Sequence, residues 1–390
     1  MAEGLSVRPG ERVACWWLRA IREARNRPSD NLWLQLFQVL SWFYRVLVGL
    51  RQECYRRGWF RTWKLPAAVI SVGNMVVGGT GKTPLVERIA RELSGTRKVA
   101  VLLRGYGGVR SRQPMVVSDG TRILRDWTEA GDEALLLARN LPGVAVVSGV
   151  DRVAAGDWAV RHWGAELLLL DDGFQHLRVR RDLDLVLLDG ENPFAGYHLF
   201  PRGLLREPAK ELERADGLVV IAGPGTGREG LGERDLEGEL RRFNRSAPIF
   251  VAERAPISWM EHPQGARREL EEARGKRCLS FCGIGNPDSF HSLLCSLGLE
   301  VVECLDFPDH HPYSLEELER IVGRAKRQQV PLLVTTEKDA VRIPACFNPF
   351  PLSLLYLRIQ IRLRGEEEFF SWVKEAIGGR RAGLEEGSER

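Results

Sequence analysis

Ala68 to Thr83 reads AVISVGNMVVGGTGKT. The β-branched run Val69-Ile70-Ser71-Val72 has the pattern of a buried strand. A glycine-rich turn, Gly78-Gly79-Thr80-Gly81, follows it. Lys82 and Thr83 then head a helical pattern, Leu85 to Leu93. Strand, glycine loop and helix in that order make a phosphate cradle. Glycines let backbone N–H groups turn towards an anion, and the helix N-terminus adds a favourable dipole. A lysine there reaches β- and γ-phosphates, and a threonine hydroxyl can hold Mg²⁺. The strict G-x-x-x-x-G-K-[ST] pattern fails, because Val76 stands where its first glycine belongs. What remains is a G-G-x-G-K-T variant. Val76, Val77, Gly78, Gly79, Thr80, Gly81, Lys82 and Thr83 are therefore the expected nucleotide-phosphate contacts.

Working outward, strands and helices alternate from Ala67 onward. Strand patterns fall at 67–72, 98–103, 144–147, 166–170, 184–188 and 217–221, and helical patterns at 84–94, 129–140, 151–163 and around 208–214. Alternation of this kind predicts a mainly parallel sheet with helices on both faces. A second block begins near Gly275. Strands are expected at 276–282, 301–305, 331–335 and 354–361, and helices at 287–297 and 314–329, the latter capped by Ser314. The expected division is a phosphate-loop domain over 65–250 and a smaller α/β domain over 251–377. Between 244 and 275 the pattern is weakest. Residues 378–390, GGRRAGLEEGSER, read as a disordered tail.

The N-terminus is different. Residues 1–30 form a basic extension. Leu32 to Leu50, LWLQLFQVLSWFYRVLVGL, is mostly apolar, and its polar members Gln35, Gln38, Ser41 and Arg45 lie three, three and four apart. That spacing is one narrow polar stripe on a helix. Arg45 and the flanking arginines argue against a spanning helix. An amphipathic membrane-surface segment over 31–64 fits best, with packing on the protein's own core as the alternative.

Across 390 residues the net charge is +4 and the apolar fraction 44%. This excludes a strongly basic nucleic-acid binder, and no obligate protein partner is evident. Seven scattered cysteines without a C-x-x-C suit free thiols rather than disulfides or a zinc knuckle.

Several acids and histidines can carry chemistry. Leu167 to Leu170 runs into Asp171-Asp172-Gly173-Phe174-Gln175-His176. Carboxylates at the C-terminal edge of a parallel strand, beside a phosphate loop, are placed to hold Mg²⁺. Gly131-Asp132-Glu133 opens a helix and reads by itself as a cap. Asp306-Phe307-Pro308-Asp309-His310-His311-Pro312 is the densest polar cluster of the second block, without further ligands at metal spacing. Arg104, Tyr106 and Arg152 follow strands or open helices, and Thr335 to Asp339 follows a buried strand.

Taken together, VGNMVVGGTGKTP (72–84), LLRGYGG (102–108), EAGDEALLLA (129–138), SGVDR (148–152), LLDDGFQH (169–176), PRGLLREP (201–208), FPDHHPYS (307–314) and TTEKDAVRI (335–343) resemble the tetraacyldisaccharide 4′-kinase family of lipid A biosynthesis. The resemblance implies two α/β/α domains with the active site between them. It implies transfer of the ATP γ-phosphate to the 4′-hydroxyl of a tetraacyldisaccharide 1-phosphate, at the cytoplasmic face of the inner membrane. Lys82 would neutralise β/γ-phosphate charge. Asp132 matches the general base and His310 its partner histidine. Thr83, Asp171, Asp172 and Glu133 are the candidates for metal, and Arg104, Tyr106 and Arg152 for substrate. A partitioning or switch ATPase of the same loop type is the main alternative, but Val77 stands where such proteins usually carry a lysine. A non-catalytic nucleotide-binding scaffold is the other.

Overall fold

A computed structural model describes residues 32–78, 81–105, 113–223 and 233–385. Residues 1–31, the loop positions Gly79, Thr80 and Tyr106, and the end of the tail lie outside the described residues.

The first half of the chain builds seven strands: β1 (Ala68–Asn74), β2 (Val99–Leu103), β3 (Met115–Asp119), β4 (Ala145–Ser148), β5 (Leu167–Asp171), β6 (Leu183–Asp189) and β7 (Gly217–Ile221). Their spatial order is β7-β6-β1-β5-β2-β4-β3, parallel except for β3 against β4. The glycine-loop strand β1 thus lies in the middle, between β6 and β5. Helices α1 (Leu32–Arg56), α2 (Lys82–Leu93), α3 (Asp132–Asn140), α4 (Arg152–Trp158) and α5 (Glu233–Arg241) accompany these strands. One sheet face buries Ile70 and Val72 against Leu85, Ile89 and Leu137, from α2 and α3. The other buries Val69, Leu168 and Leu170 under Ala155 and Ala159. Each valine, leucine and isoleucine among them contributes roughly 1.5–3 kcal/mol of burial.

The remaining strands are β8 (Ile249–Glu261), β9 (Arg267–Arg268), β10 (Arg277–Cys282), β11 (Glu300–Asp306), β12 (Leu332–Thr336) and β13 (Ser353–Leu363). They continue the same sheet in the order β11-β10-β12-β13-β8-β7, with β9 pairing on β8. Helices α6 (Pro287–Ser296) and α7 (Leu315–Arg327) cover the two faces of this second lobe. The short α8 (Glu337–Arg342) follows β12, and α9 (Glu366–Glu385) closes the chain.

The α/β class, the mainly parallel sheet and the positions of most elements agree with the sequence reading. Three features differ. The segment with the weakest pattern contains the thirteen-residue strand β8, which pairs with β7 at its start and with β13 along its length. A boundary at 250/251 falls inside it. Its alternation is broken because Pro256 sits at a register shift, opposite Ile359. Next, α9 returns to the first lobe and buries Phe369, Phe370, Val373 and Ile377 in its core. Finally, that helix runs to Glu385, so the expected disordered tail is helical from 378 to 385, while 386–390 lie outside the described residues.

Helix α1 lies on the first lobe with Leu34 and Ser41 buried, while Gln35 and Arg45 of its polar stripe are exposed. Ser41 Oγ donates to the Leu199 carbonyl at 2.9 Å and accepts from the Arg202 N–H at 3.0 Å. Tyr44 donates to the Arg206 carbonyl at 2.9 Å, and Arg51 to the Gln175 carbonyl at 2.7 Å. Its apolar face points out: Trp42 is 63% and Phe43 65% exposed, and Trp33, Leu36, Val46, Leu47 and Leu50 are exposed beside them. Among the described residues no helix is long and apolar enough to cross a membrane.

Candidate active site

The glycine loop leaves β1 at the C-terminal edge of the sheet, where α2 begins directly at Lys82 behind Gly81. Val76 and Val77 depart from the expected cradle. Val76 makes a β-bridge with Leu205, and the Val77 N–H donates to the Leu204 carbonyl at 2.8 Å. That N–H is spent on the PRGLLREP segment rather than turned into the loop. The described part of the cradle is Gly78, Gly81, Lys82 and Thr83.

Neighbouring β5 brings the two aspartates beside it, with Asp171 in register with Val72. The loop after β5 crosses β1 so closely that a side chain at Gly73 would collide with Phe174, and one at Gly173 with Ser71. Glycine at both places allows this approach. Thr83 Oγ1 then donates to Asp171 Oδ2 at 3.0 Å, and Lys82 Nζ lies 3.4 Å from Asp172 Oδ1. Arg206 donates to both oxygens of Asp172 at 2.8 Å. Asp172 adopts a positive φ of 55°, an uncommon conformation outside glycine that recurs at functional sites.

The two carboxyls are electrically unlike. Burial pushes Asp171 up to about 7, with Glu133 and Asp172 adding to the shift and Lys82 opposing it. Its Oδ1 is buried without a hydrogen-bond partner. For Asp172, burial raises the value, but Lys82 and Arg206 outweigh it and hold the carboxyl below its ordinary range. Glu133 is paired with Lys338 Nζ at 2.5 Å. Of the three acids, Asp171 alone presents a buried oxygen with no partner beside the threonine hydroxyl. That donor set of hard oxygens, short of positive charge, fits Mg²⁺.

Asp132 heads α3. Gly131 precedes it with φ 88° and ψ 153°, a turn between the short helical segment Trp127–Ala130 and α3 that an L side chain rarely adopts. The bend aims Asp132 at the second lobe. There His310 Nδ1 meets Asp132 Oδ2 at 2.7 Å, across 178 positions of sequence. Arg342 Nε is 3.6 Å from the same oxygen, and Asp132 Oδ1 accepts the Glu133 N–H at 2.9 Å. Burial raises the Asp132 value, but the His310 hydrogen bond and the charges of His310, Lys338 and Arg342 bring it below the ordinary 3.8. The hydrogen bond to Asp132 raises His310 above 6.5 against the effect of burial. His310 also has positive φ, 61°.

TTEKDAVR supplies the frame for that pair. Asp339 is fully buried and accepts from the Gly283 N–H at 2.9 Å, the Tyr313 hydroxyl at 2.8 Å and Arg342 at 2.7 Å. His311 points elsewhere, with Nε2 3.3 Å from Glu317 and its ring stacked on Phe307. Arg152 is buried and donates to the Asp171 carbonyl at 3.0 Å. Exposed Arg104 lines the same cleft with Arg152, Glu133, Asp171 and Asp172.

A family model described as "LpxK: Tetraacyldisaccharide-1-P 4'-kinase" matches residues 33–378. The chain belongs to this kinase family. A relative named tetraacyldisaccharide 4'-kinase from Syntrophus aciditrophicus is 42% identical over 347 residues, covering 88% of this chain and 92% of the relative. One of the same name from Halothermothrix orenii is 36% identical, covering 91% and 96%. Among solved structures, LpxK from Aquifex aeolicus in complex with ATP superposes with a TM-score of 0.70 at 29% identity, covering 89% of this chain and all of that one.

For this kinase, the geometry brings together Lys82, Thr83, Asp171 and Asp172 in one group and Asp132 with His310 in another. Cations escaped the sequence reading of the site, Arg342 of TTEKDAVRI among them. Arg206 lies in PRGLLREP, a run noticed only as a motif, and its guanidinium clamps Asp172. Arg254, on the unrecognised strand β8, lies against Gly81. The signal for Arg206 was its motif. For Arg254 none was legible, because its strand was not.

Proposed function

We propose that the chain transfers the γ-phosphate of ATP to the 4′-hydroxyl of a tetraacyldisaccharide 1-phosphate, the reaction for which its family is named. The observation that carries the reading is the 2.7 Å contact of His310 with Asp132, one residue before Glu133, which lines the same cleft as Asp171 and Asp172. The triphosphate lies on the loop from Gly78 to Thr83, with the N-terminus of α2 behind it. Lys82 exchanges Asp172 for β/γ-phosphate oxygens, and Arg206 keeps Asp172 compensated when it does. Thr83 and Asp171 hold Mg²⁺, which when bound neutralises charge on the phosphate oxygens. Glu133 and Asp172, already paired with cations, are the poorer ligands.

The acceptor hydroxyl gives its proton to the Asp132–His310 pair as its oxygen bonds to the γ-phosphorus, while the bond from that phosphorus to the bridging oxygen breaks and ADP leaves. Asp132 receives the proton, and His310 orients the carboxylate and shares its charge. Arg104 and Arg152 line the substrate side.

The first test is transfer of labelled γ-phosphate from ATP to tetraacyldisaccharide 1-phosphate in mixed micelles. Label in lipid is the expected result. ATP hydrolysis without labelled lipid from any disaccharide acceptor would sink the reading. In the same assay His310→Ala is expected to lower turnover by at least about 10²-fold, and His311→Ala by less than about tenfold. Equal losses would undo the assignment of the two histidines.

The lipid acceptor is reached from a membrane surface. The outward face of α1 continues into exposed Trp59, Phe60 and Trp63, with Arg57 and Arg61 stacked over Trp59 and Trp63. Aromatic side chains with guanidinium groups suit the boundary between headgroups and acyl chains. Two large exposed side chains at roughly 1.5–3 kcal/mol each set the scale of a test. Replacing Trp42 and Phe43 together by Glu is expected to weaken sedimentation with anionic vesicles by at least about 10²-fold. ATP binding should persist, because both side chains point away from the fold. Unchanged sedimentation would exclude this face as the contact.

A further inference from the structure

We propose that Cys282, His291 and Asp306 form a site for a thiophilic divalent cation, zinc foremost, at the root of the loop that carries His310. The three residues sit on three elements: the end of β10, helix α6 and the end of β11. Cys282 and Asp306 are in direct register across the parallel pair β10/β11. Their side chains share the face that α6 covers, and α6 brings His291 over them. One donor atom from each lies within 4.8 Å of the other two. His291 Nε2 is 2.8 Å from Asp306 Oδ1, and Cys282 Sγ is 4.0 Å from the same oxygen. Side-chain rotation would place these three atoms at corners of a coordination tetrahedron.

The donor chemistry selects the metal. One thiolate, one imidazole and one carboxylate match zinc and cobalt, whereas magnesium and calcium prefer oxygen alone. The ring of His291 is oriented from behind, with Nδ1 3.2 Å from Ser280 Oγ. A second contact of this kind is what metal-bound histidines usually have. Asp306 is 53% exposed in its side chain, so the site opens to solvent there and leaves a fourth position for water. Cys282 is wholly buried. Binding converts its thiol to a metal-bound thiolate and releases the proton to solvent, so affinity rises with pH.

The position gives the site a consequence. The Phe307 N–H donates to the Cys282 carbonyl at 2.8 Å, and the His310 N–H to the Gly283 carbonyl at 3.2 Å. A cation bridging Cys282 and Asp306 therefore ties the end of β10, which the His310 loop touches, to the end of β11, from which that loop springs. This role is separate from the phosphate site, and its measurement does not depend on kinase activity.

The experiment is a titration of the chelator-treated, reduced full chain with Co²⁺, read by absorption. One equivalent is expected to produce a thiolate-to-cobalt charge-transfer band in the near ultraviolet, displaced by Zn²⁺. The band should vanish in Cys282→Ala and His291→Ala and weaken in Asp306→Asn, whose exposed side chain makes misfolding no explanation. It should survive in Cys346→Ala, a distant exposed thiol. Zinc should also raise the thermal midpoint of the native chain and not of Cys282→Ala. No band at stoichiometric cobalt overturns the proposal. So does a band that survives Cys282→Ala, which would place the metal on the other thiols.

Discussion

Asp132→Asn is expected to lower kcat by roughly 10²- to 10⁴-fold, the usual value of a positioned proton acceptor. Asparagine keeps the shape and can still accept the Glu133 N–H, but it cannot take a proton from the acceptor hydroxyl. Binding of ATP should change little, because Asp132 faces His310 and Arg342 rather than the glycine loop. The double substitution with His310→Ala should cost little more than the larger single loss. Residues that move one proton as a unit are strongly non-additive when removed together. Multiplying losses would mean two independent roles and would break up the pair. The substitution also leaves Arg342, 1% exposed in its side chain, with less negative charge around it. Thermal unfolding must therefore be recorded beside turnover. A drop in kcat at an unchanged unfolding midpoint assigns the loss to chemistry, and a drop that follows the fraction folded assigns it to structure.

Lys82→Ala is the second large effect, with an expected loss of roughly 10²- to 10³-fold in kcat, the scale for one preorganised charge on a developing oxyanion. Here the pH response separates it from a folding defect. Lys82 helps hold Asp172 below its ordinary range and opposes the rise of Asp171. Without it, Asp171 should take up its proton at higher pH, and Mg²⁺ should bind more weakly near neutrality because a proton competes for the same oxygen. Raising pH should then restore part of the magnesium affinity in the variant. Lys82→Arg should not restore full activity, since a planar fork does not replace a compact ammonium at this depth. Activity close to native in Lys82→Ala would remove the lysine from the transition state.

Much of the scaffold was legible in local pattern. Strands β1, β2, β4, β5, β6 and β7 are short apolar runs punctuated by glycine and acid, and each falls within a residue or two of its expected bounds. Ser314 caps α7 as its sequence suggests, with the reciprocal Glu317 contact. The elements that failed to show are those whose identity is tertiary. β8 carries Glu253, Arg254 and Pro256 through its middle and is a strand because β7 and β13 flank it. Helix α9 has its apolar residues satisfied only by the core of the distant first lobe.

The candidate site divides the same way. Local spacing identifies the glycine loop, Lys82 and Thr83, because a phosphate cradle is built from consecutive residues. The family resemblance, not spacing, first marked Asp132 and His310, and by pattern alone the GDE run reads as a helix cap. Only the fold could say that these two side chains share a hydrogen bond. Only the fold separates the three acids, leaving Asp171 with an unpartnered oxygen while Asp172 and Glu133 are spent on Arg206 and Lys338. The same is true of Cys282, His291 and Asp306, which meet only through the pairing of β10 with β11 and the seating of α6. Helix α1 shows the division within one segment. Its narrow polar stripe is written in the sequence, but which side of the helix meets the fold is decided by backbone carbonyls of Leu199, Arg206 and Gln175 that accept from Ser41, Tyr44 and Arg51. The sequence by itself determined the strand–loop–helix phosphate site and the alternating α/β order, because backbone conformation and side-chain period are local properties. Tertiary structure alone decided which charges meet, because that depends on strand order and lobe contact, and neither has a period in the chain.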